Sequence, residues 1–123
     1  MKNKKIIKWL KNSQPHVYLA AASYLNLIFD DQTSVELIKK LKSVPFSSFK
    51  AKDIFRAANV SLLGISNSHV DKDRKKIKKE ISLSPILLVR DTANGKVIIA
   101  DGYHRLCAVY SYDEDAVIPC KII

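Results

Sequence analysis

The turn at residues 101–105 constrains the fold of this chain more than any other feature. The apolar run 98–100 stops at Asp101 and Gly102, and a helical pattern begins at the next residue. A strand that turns directly into a helix leaves the first N–H groups of that helix without partners, and the helix dipole places partial positive charge there. His104 and Arg105 fall in the first helical turn. The sequence therefore predicts a strand, a tight turn and a helix that together bind phosphate.

The length of the chain, 123 residues, suits one domain with its own core. The longest apolar runs, 17–22 and 86–89, are too short to span a bilayer. The basic N-terminus lacks the uninterrupted apolar segment and the small-residue cleavage site of a signal peptide. We therefore expect a cytoplasmic protein without a membrane span. In that compartment Cys107 and Cys120, each in apolar surroundings, are expected to be buried reduced thiols.

The net charge of +9 is unevenly distributed. Residues 1–12 carry five lysines and no acid, and residues 39–56 carry six bases against Asp53. A third basic cluster spans residues 72–79. This distribution favours an anionic partner, which could be a nucleotide, a nucleic acid or an acidic surface. The alternative interpretation is a solvated basic surface that serves solubility.

The N-terminal third has helical patterns. Residues 3–12 fit a short amphipathic helix or a frayed basic arm, and residues 16–29 predict a largely buried helix because they leave little polar surface. Thr33 and Glu36 have the spacing of a capping box, which predicts a helix over 34–41. Residues 1–43 are therefore expected to form a helical extension that packs on a domain over 44–123. These N-terminal helices could also form a homo-oligomer interface.

The rest of the chain predicts a small sheet with helices. Pro45 places the extended segment 44–49 at a sheet edge, because proline cannot donate to a central ladder. Asn94 and Gly95 predict a hairpin turn between strands at 85–90 and 96–100. Further patterns predict helices over 50–58, 69–80 and 103–110, a loop over 60–68 and a closing strand over 117–123. The fold class is α/β in its α+β form.

Three segments, in this order and after a helix, resemble the ParB/sulfiredoxin superfamily and its ParB-like nuclease domain. They read Leu-Ser-Pro-Ile-Leu-Leu-Val-Arg at 83–90, Val-Ile-Ile-Ala-Asp-Gly-Tyr-His-Arg-Leu-Cys-Ala at 97–108 and Ile-Pro-Cys-Lys-Ile at 118–122. The resemblance covers residues 44–123. It implies a ParB/sulfiredoxin-like sheet in which the segment around His104 and Arg105 binds nucleotide phosphates. Members of the superfamily include sulfiredoxins, free serine kinases, CTP-binding ParB proteins and nucleases.

Two activities of the superfamily are not expected here. Tyr103 stands where sulfiredoxins have their catalytic cysteine, and a phenol cannot replace a thiolate nucleophile of low pKa. Cys107 lies one helical turn further on. ParB partition proteins follow this domain with a DNA-reading helix-turn-helix, whereas this sequence ends at the last predicted strand. We therefore expect neither sulfiredoxin activity nor a role in chromosome partition.

The local motif is most similar to the Asp-Gly-His-His-Arg turn of the kinase-like members, from which it differs only at Tyr103. By that resemblance, Gly102, Tyr103, His104 and Arg105 would bind ATP, ADP or CTP. Asp101, His104 and Arg105 would take part in catalysis, and Asp101 would hold Mg²⁺ or orient the acceptor.

Several residues have more than one interpretation. Kinase-like members also need an upstream carboxylate base, for which Asp53 and Asp71 are candidates by position only. Asp101 could simply cap the helix. The acidic run 113–115 is typical of a solvated loop, and the bases over 72–79 are expected to surround a helix instead of forming one stripe. Arg56 and His69 could complete the phosphate pocket, although surface roles are favoured.

Two classes of function remain open. The first is a phosphotransferase or NTP hydrolase that uses the turn at 101–105. The second is a ParB-like nuclease, or a non-catalytic DNA-binding module, that uses the basic clusters. The sequence leaves open whether the protein is an enzyme.

Overall fold

The structure, a computed structural model, describes residues 6–123, which contain five α-helices and four β-strands. This confirms the α+β fold class. The elements follow the order α1 (Pro15–Leu25), α2 (Asp31–Ser43), β1 (Ser47–Lys50), α3 (Ala51–Ala58), α4 (Ser68–Lys78), β2 (Ile86–Asp91), β3 (Lys96–Asp101), α5 (Tyr103–Tyr112) and β4 (Val117–Ile122). A short 3₁₀ turn, Thr92–Asn94, joins β2 to β3.

The four strands form one mixed sheet in the order β1-β4-β2-β3. Strand β2 pairs antiparallel with β3 and parallel with β4, and β1 pairs antiparallel with β4. The apolar run 86–89 of β2 is buried along its whole length, which is typical of a central strand covered on both faces. Among residues 6–123, β1 and β3 form the two edges. The edge position of β1, just after Pro45, agrees with the prediction.

Helices cover both faces of the sheet, so the molecule has three layers. On one face, α1 and α2 pack on the sheet, and Val17 and Leu25 lie in one cluster with Leu87 and Val89. On the other face, α3, α4 and α5 enclose a second cluster that contains Leu106. The neighbouring residues of β2 therefore alternate between two apolar cores.

Helix α1 is less buried than its composition predicts. The helix ends at Leu25, and its inner face is buried, including Val17 and Ala21. Leu19 is 74% exposed, and Leu27 in the following turn is 84% exposed. Because α1 is the outer layer on its side of the sheet, nothing in the described chain covers its second face. The prediction of a largely buried helix over 16–29 is wrong in this respect.

The predicted helix over 3–12 is also wrong for residues 6–12, and residues 1–5 lie outside the described part. Trp9 forms a parallel bridge with Leu83. The Leu83 N–H donates to the Lys8 carbonyl at 2.8 Å, and the Leu10 N–H donates to the Leu83 carbonyl at the same distance. This extended segment takes its hydrogen bonds from a neighbouring segment, an option that amphipathic spacing alone does not reveal.

The start of α2 differs from the expected capping box. Asp30 caps the helix, since its Oδ1 accepts from the Thr33 N–H at 2.7 Å. The helix therefore begins three residues before the predicted position. The remaining elements lie where they were expected, within a few residues. None of the helices in the described chain is long and apolar enough to cross a membrane.

Candidate functional site

The turn between β3 and α5 requires glycine. Gly102 has a φ of 110°, which lies in a region that residues other than glycine rarely adopt. A Cβ at this position would lie 2.9 Å from Arg105 Nη2 and 2.9 Å from Ile86 Cγ1. No side chain caps α5, whose first hydrogen bond joins the Leu106 N–H to the Gly102 carbonyl at 2.9 Å. The N–H groups in the first turn of α5 are therefore directed out of the turn, where a phosphate oxygen could accept hydrogen bonds from them.

Asp101 orients Arg105 across this turn. The Asp101 carboxylate accepts from Arg105 Nη2 at 2.8 Å, and both side chains are more than four-fifths buried. The same Nη2 also donates to the Pro85 carbonyl at 3.3 Å, whereas the buried Nε has no hydrogen-bond partner among the described residues. The interpretation of Asp101 as a helix cap is therefore wrong, because its carboxylate holds the guanidinium at the turn.

Helix α4 presents one polar face to this turn. His69, Lys72, Asp73 and Lys76 line a cavity of about 200 Å³ together with residues 101–105. Positions 69, 72, 73 and 76 share one side of a helix with 3.6 residues per turn. Of the six bases over 72–79, Lys72 and Lys76 line the cavity and the other four do not, which agrees with the expectation that the bases surround the helix. His69 faces the cavity as well.

The buried carboxylate of this face is Asp73, which the sequence analysis did not identify. Its side chain is 9% exposed, and burial raises its pKa, while the charges of Arg105 and Lys76 oppose that effect. Val70 and Ile77 are buried on the same side of α4. A carboxylate at position 73 thus interrupts an apolar stripe, and this is the sequence signal that could have identified it.

The two carboxylates proposed from position alone lie elsewhere. Asp71 forms an ion pair with Lys75 at 3.1 Å on the solvent side of α4. Asp53 is exposed on α3 and lines a different cavity with Arg90. Arg56 is exposed and does not line the cavity at the turn. The structure therefore brings Asp73, not Asp53 or Asp71, to the predicted phosphate site.

Two imidazoles meet at the mouth of the cavity. The ring centroids of His69 and His104 are 4.8 Å apart. Burial lowers the pKa of His104 below its ordinary value, and the positive charges of His69 and Arg105 lower it further, while Asp73 acts in the opposite direction. His104 is therefore mostly neutral at pH 7, the state in which an imidazole can accept a proton.

Tyr103 connects the site to the loop over residues 59–67. Its hydroxyl donates a hydrogen bond to the Ser61 carbonyl, and its ring centroid lies 5.7 Å from that of His104. Burial raises the pKa of this phenol. Because the hydroxyl already donates its proton to the Ser61 carbonyl, the donor that Tyr103 offers to a phosphate is its backbone N–H. Its ring can also contact a ligand.

The two cysteines are free and buried, as expected. Cys107 Sγ accepts from the Leu63 N–H at 3.5 Å, and burial raises its pKa. Burial raises the pKa of Cys120 to about 12. Neither thiol is poised as a nucleophile at neutral pH.

The acids of the site could hold a divalent cation only with help from a ligand. No three His, Cys, Asp or Glu side chains between residues 6 and 123 are grouped to hold a metal. Asp73 and Asp101 line the same cavity, however, and Mg²⁺ usually takes one or two carboxylates together with phosphate oxygens and waters. Arg105 already occupies Asp101 Oδ2, so the residues present fit a magnesium ion only through Asp73 and Asp101 Oδ1, with the polyphosphate and water supplying its other ligands. Asp115, in the acidic run, instead forms an ion pair with Lys52 at 2.7 Å.

Comparisons of the chain with protein-family models, curated proteins and solved structures found no match. We therefore infer the function from the residues that line the cavity.

Proposed function

We propose that this protein binds a nucleotide through its phosphates at residues 101–105 and transfers a phosphoryl group to an acceptor, or to water. The observation that carries the proposal is the cavity where the N-terminus of α5 meets the polar face of α4. Lys72, Lys76 and Arg105 outnumber Asp73 and Asp101 in its lining, so the side-chain charge is positive, and the dipole of α5 adds to that charge. Such a site favours a ligand with several negative charges.

The size of the cavity suits phosphates. Its volume of about 200 Å³ is below the roughly 300–1,000 Å³ of sites that enclose a drug-sized ligand. Phosphate groups would therefore occupy it, while the nucleoside would lie outside. The candidate ligands are ATP, ADP and CTP, the nucleotides implied by the resemblance to the kinase-like and ParB-like proteins.

Each residue at the site has a role in this proposal. The lack of a side chain at Gly102 lets the phosphates approach the backbone N–H groups. Lys72, Lys76 and Arg105 stabilise the charge that develops on the transferred group. Neutral His104 accepts the proton of the attacking hydroxyl or water.

Asp101 and Asp73 would hold Mg²⁺, which neutralises charge on the phosphate oxygens when it is bound. We place the reaction in the cytoplasm, where nucleoside triphosphates are available and free thiols such as Cys107 and Cys120 stay reduced.

Thermal unfolding with a panel of nucleotides and Mg²⁺ tests this proposal. Saturation at about 100 times Kd stabilises a protein by about 2.7 kcal/mol, which for a domain of this size raises Tm on the order of 10 °C. Arg105→Ala should abolish the rise, and Lys72→Gln should reduce it. Lys79→Gln is the matched control, because it removes the same charge from the exposed end of α4, outside the cavity. No rise with any nucleotide, or an equal loss in the control, would contradict the proposal.

A further inference from the structure

A larger groove of about 840 Å³ adjoins the phosphate cavity. The whole of β3 lines it, from Lys96 to Asp101. One wall consists of Tyr24 and Ile28 from the α1 side, and the other consists of residues 58–61. The groove ends at residues 101–104, which also line the phosphate cavity. A molecule lying along β3 would therefore reach His104.

The floor of the groove is an unpaired strand edge. In the described sheet β3 is the last strand and pairs with β2 alone, and no backbone hydrogen bond from another described segment reaches it. From Lys96 to Ile99 every second residue directs its N–H and C=O away from the sheet, and a register shift between the pairs Leu88–Ile99 and Leu87–Asp101 interrupts this alternation at Ala100. Six residues of β3 offer about 20 Å of backbone hydrogen-bonding groups. This edge matches the main chain of another extended segment.

The walls of the groove add apolar surface that lacks a partner. Tyr24 is 46% exposed, Ile28 is 47% exposed and Val60 is 37% exposed. They flank an edge strand whose central residues are Val-Ile-Ile-Ala. The wall at Tyr24 and Ile28 is apolar, whereas the other wall combines Val60 with the polar side chains of Asn59 and Ser61. Sites that take up a peptide as an added strand combine a free strand edge with such side-chain walls, and the walls supply specificity.

The shape of the groove favours a single extended segment over a second copy of this chain. The β3 edge lies between two walls, and a second copy would carry its own β3 between identical walls. Paired strands lie 4.7–4.9 Å apart, so pairing of two copies through β3 would bring both sets of walls against each other. A lone peptide segment carries no walls and fits.

We infer that the phosphoryl acceptor is a serine or threonine hydroxyl within an extended polypeptide, which pairs with β3 as a fifth strand. This inference rests on the proposed function. The hydroxyl oxygen attacks the γ-phosphorus of a nucleoside triphosphate and forms the new O–P bond. The bond between that phosphorus and the β–γ bridging oxygen breaks, the nucleoside diphosphate leaves with the electron pair, and the hydroxyl proton passes to His104.

A positional-scanning library of serine-centred decapeptides, incubated with radiolabelled ATP and Mg²⁺, tests the inference. Because alternate residues of an added strand face the same wall, labelling should favour apolar residues at every second position on one side of the serine. The best-labelled peptide, with its serine replaced by alanine, should slow hydrogen exchange at alternate amides of β3. Equal labelling of free serine, an absence of labelled peptide, or unchanged exchange in β3 would overturn the inference.

Wall variants supply the matched comparison. Ile28→Ser and Val60→Ser alter opposite walls of the groove, whereas Leu27→Ser alters a neighbouring exposed leucine that does not line it. Either wall variant should lower peptide labelling about tenfold, and Leu27→Ser should leave it unchanged. Equal labelling by all of these variants and the wild type would overturn the inference.

The ATP-induced rise in Tm, measured against the ligand-free form of each variant, separates this inference from the proposed function. Both wall variants should keep that rise. Its loss in the wall variants would show that the groove holds the nucleoside, which overturns the inference and leaves the proposed function intact. If wild-type protein shows no rise with ATP, the proposed function itself fails. A rise with ATP hydrolysis but no labelled peptide overturns the peptide acceptor alone.

Discussion

Asp73 is a buried carboxylate whose ionised form is unfavourable for folding. Burial raises the pKa of Asp73, so its ionised form is disfavoured in the folded protein compared with the unfolded chain. The side chain nevertheless faces Lys76, His104 and Arg105 in the cavity. A carboxylate in an otherwise apolar stripe of α4 weakens the packing of that helix. The proposed role of Asp73 in the site accounts for its presence there.

Asp73→Asn should therefore stabilise the protein at pH 7 and slow catalysis. The neutral amide avoids the burial of a charge, and we expect Tm to rise on the order of 2–5 °C, while phosphoryl transfer falls at least about tenfold. Since the folded-state pKa is raised, the penalty exists above that pKa and disappears as pH falls towards the ordinary value of 3.8. Melting curves of the two proteins should converge there.

Asp71→Asn is the matched control for this substitution. It removes a surface ion pair with Lys75, which contributes about 0.3–0.5 kcal/mol, and the one acid in the first turn of α4. A lower Tm for Asp73→Asn at pH 7, or full activity, would contradict the assigned role.

The pH dependence of the reaction should report His104. Its pKa lies below the ordinary 6.5, so activity should hold as pH falls to 6.5 and decline below it, when the imidazole gains a proton. His69 lowers that pKa and Asp73 raises it. His69→Gln should therefore move the acid limb of the rate profile to higher pH, and Asp73→Asn should move it to lower pH. His16 lies on the exposed face of α1, so His16→Gln should leave the limb in place. Shifts of the opposite sign in the other two variants would refute the assignment of the limb to His104.

At the scale of elements, the turn from β3 to α5 depends on Gly102. Gly102→Ala would force a positive φ on a residue with a Cβ and place that Cβ against Arg105 and Ile86. We expect a destabilisation of at least about 1–3 kcal/mol. Chemical denaturation of this variant and of Gly64→Ala provides the comparison, since a Cβ at Gly64 would have no atom within 4 Å. Equal loss of stability in both variants would show that the turn does not need glycine.

Some elements follow from local sequence signals, and others depend on contacts that are distant in sequence. The turn at 101–105 was predicted because its signal is local: an apolar run, a glycine and a helical pattern follow one another directly. The amphipathic spacing of residues 6–12 wrongly predicts a helix, because the strand partner of Trp9, Leu83, lies more than 70 residues away in the sequence. The polar face of α4 at Lys72, Asp73 and Lys76 does not follow from the sequence, because the spacing of the bases does not show which side of the helix contacts α5.

At the scale of the whole molecule, the sheet brings together parts of the chain that are distant in sequence. The phosphate cavity lies between α4, which supplies cations, and α5, which supplies the N–H groups of its first turn. In the sequence these two helices are separated by β2 and β3. The fold class followed from the order of patterns, but the three layers depend on which residues of β2 face each side. Within residues 6–123, packing also leaves the outer face of α1 and the edge of β3 uncovered, and no local pattern predicts that outcome.

The proposed function requires that phosphates bind where α5 begins. Titration of isotope-labelled protein with ATP and Mg²⁺, followed by the backbone amide resonances in NMR spectra, tests it most directly. We predict that the largest shifts fall on residues 102–105 and on the α4 residues that line the cavity, and that inorganic triphosphate reproduces them because the phosphates carry the interaction. Shifts confined to other basic segments, such as residues 50–56, or no shifts at all, would contradict the account.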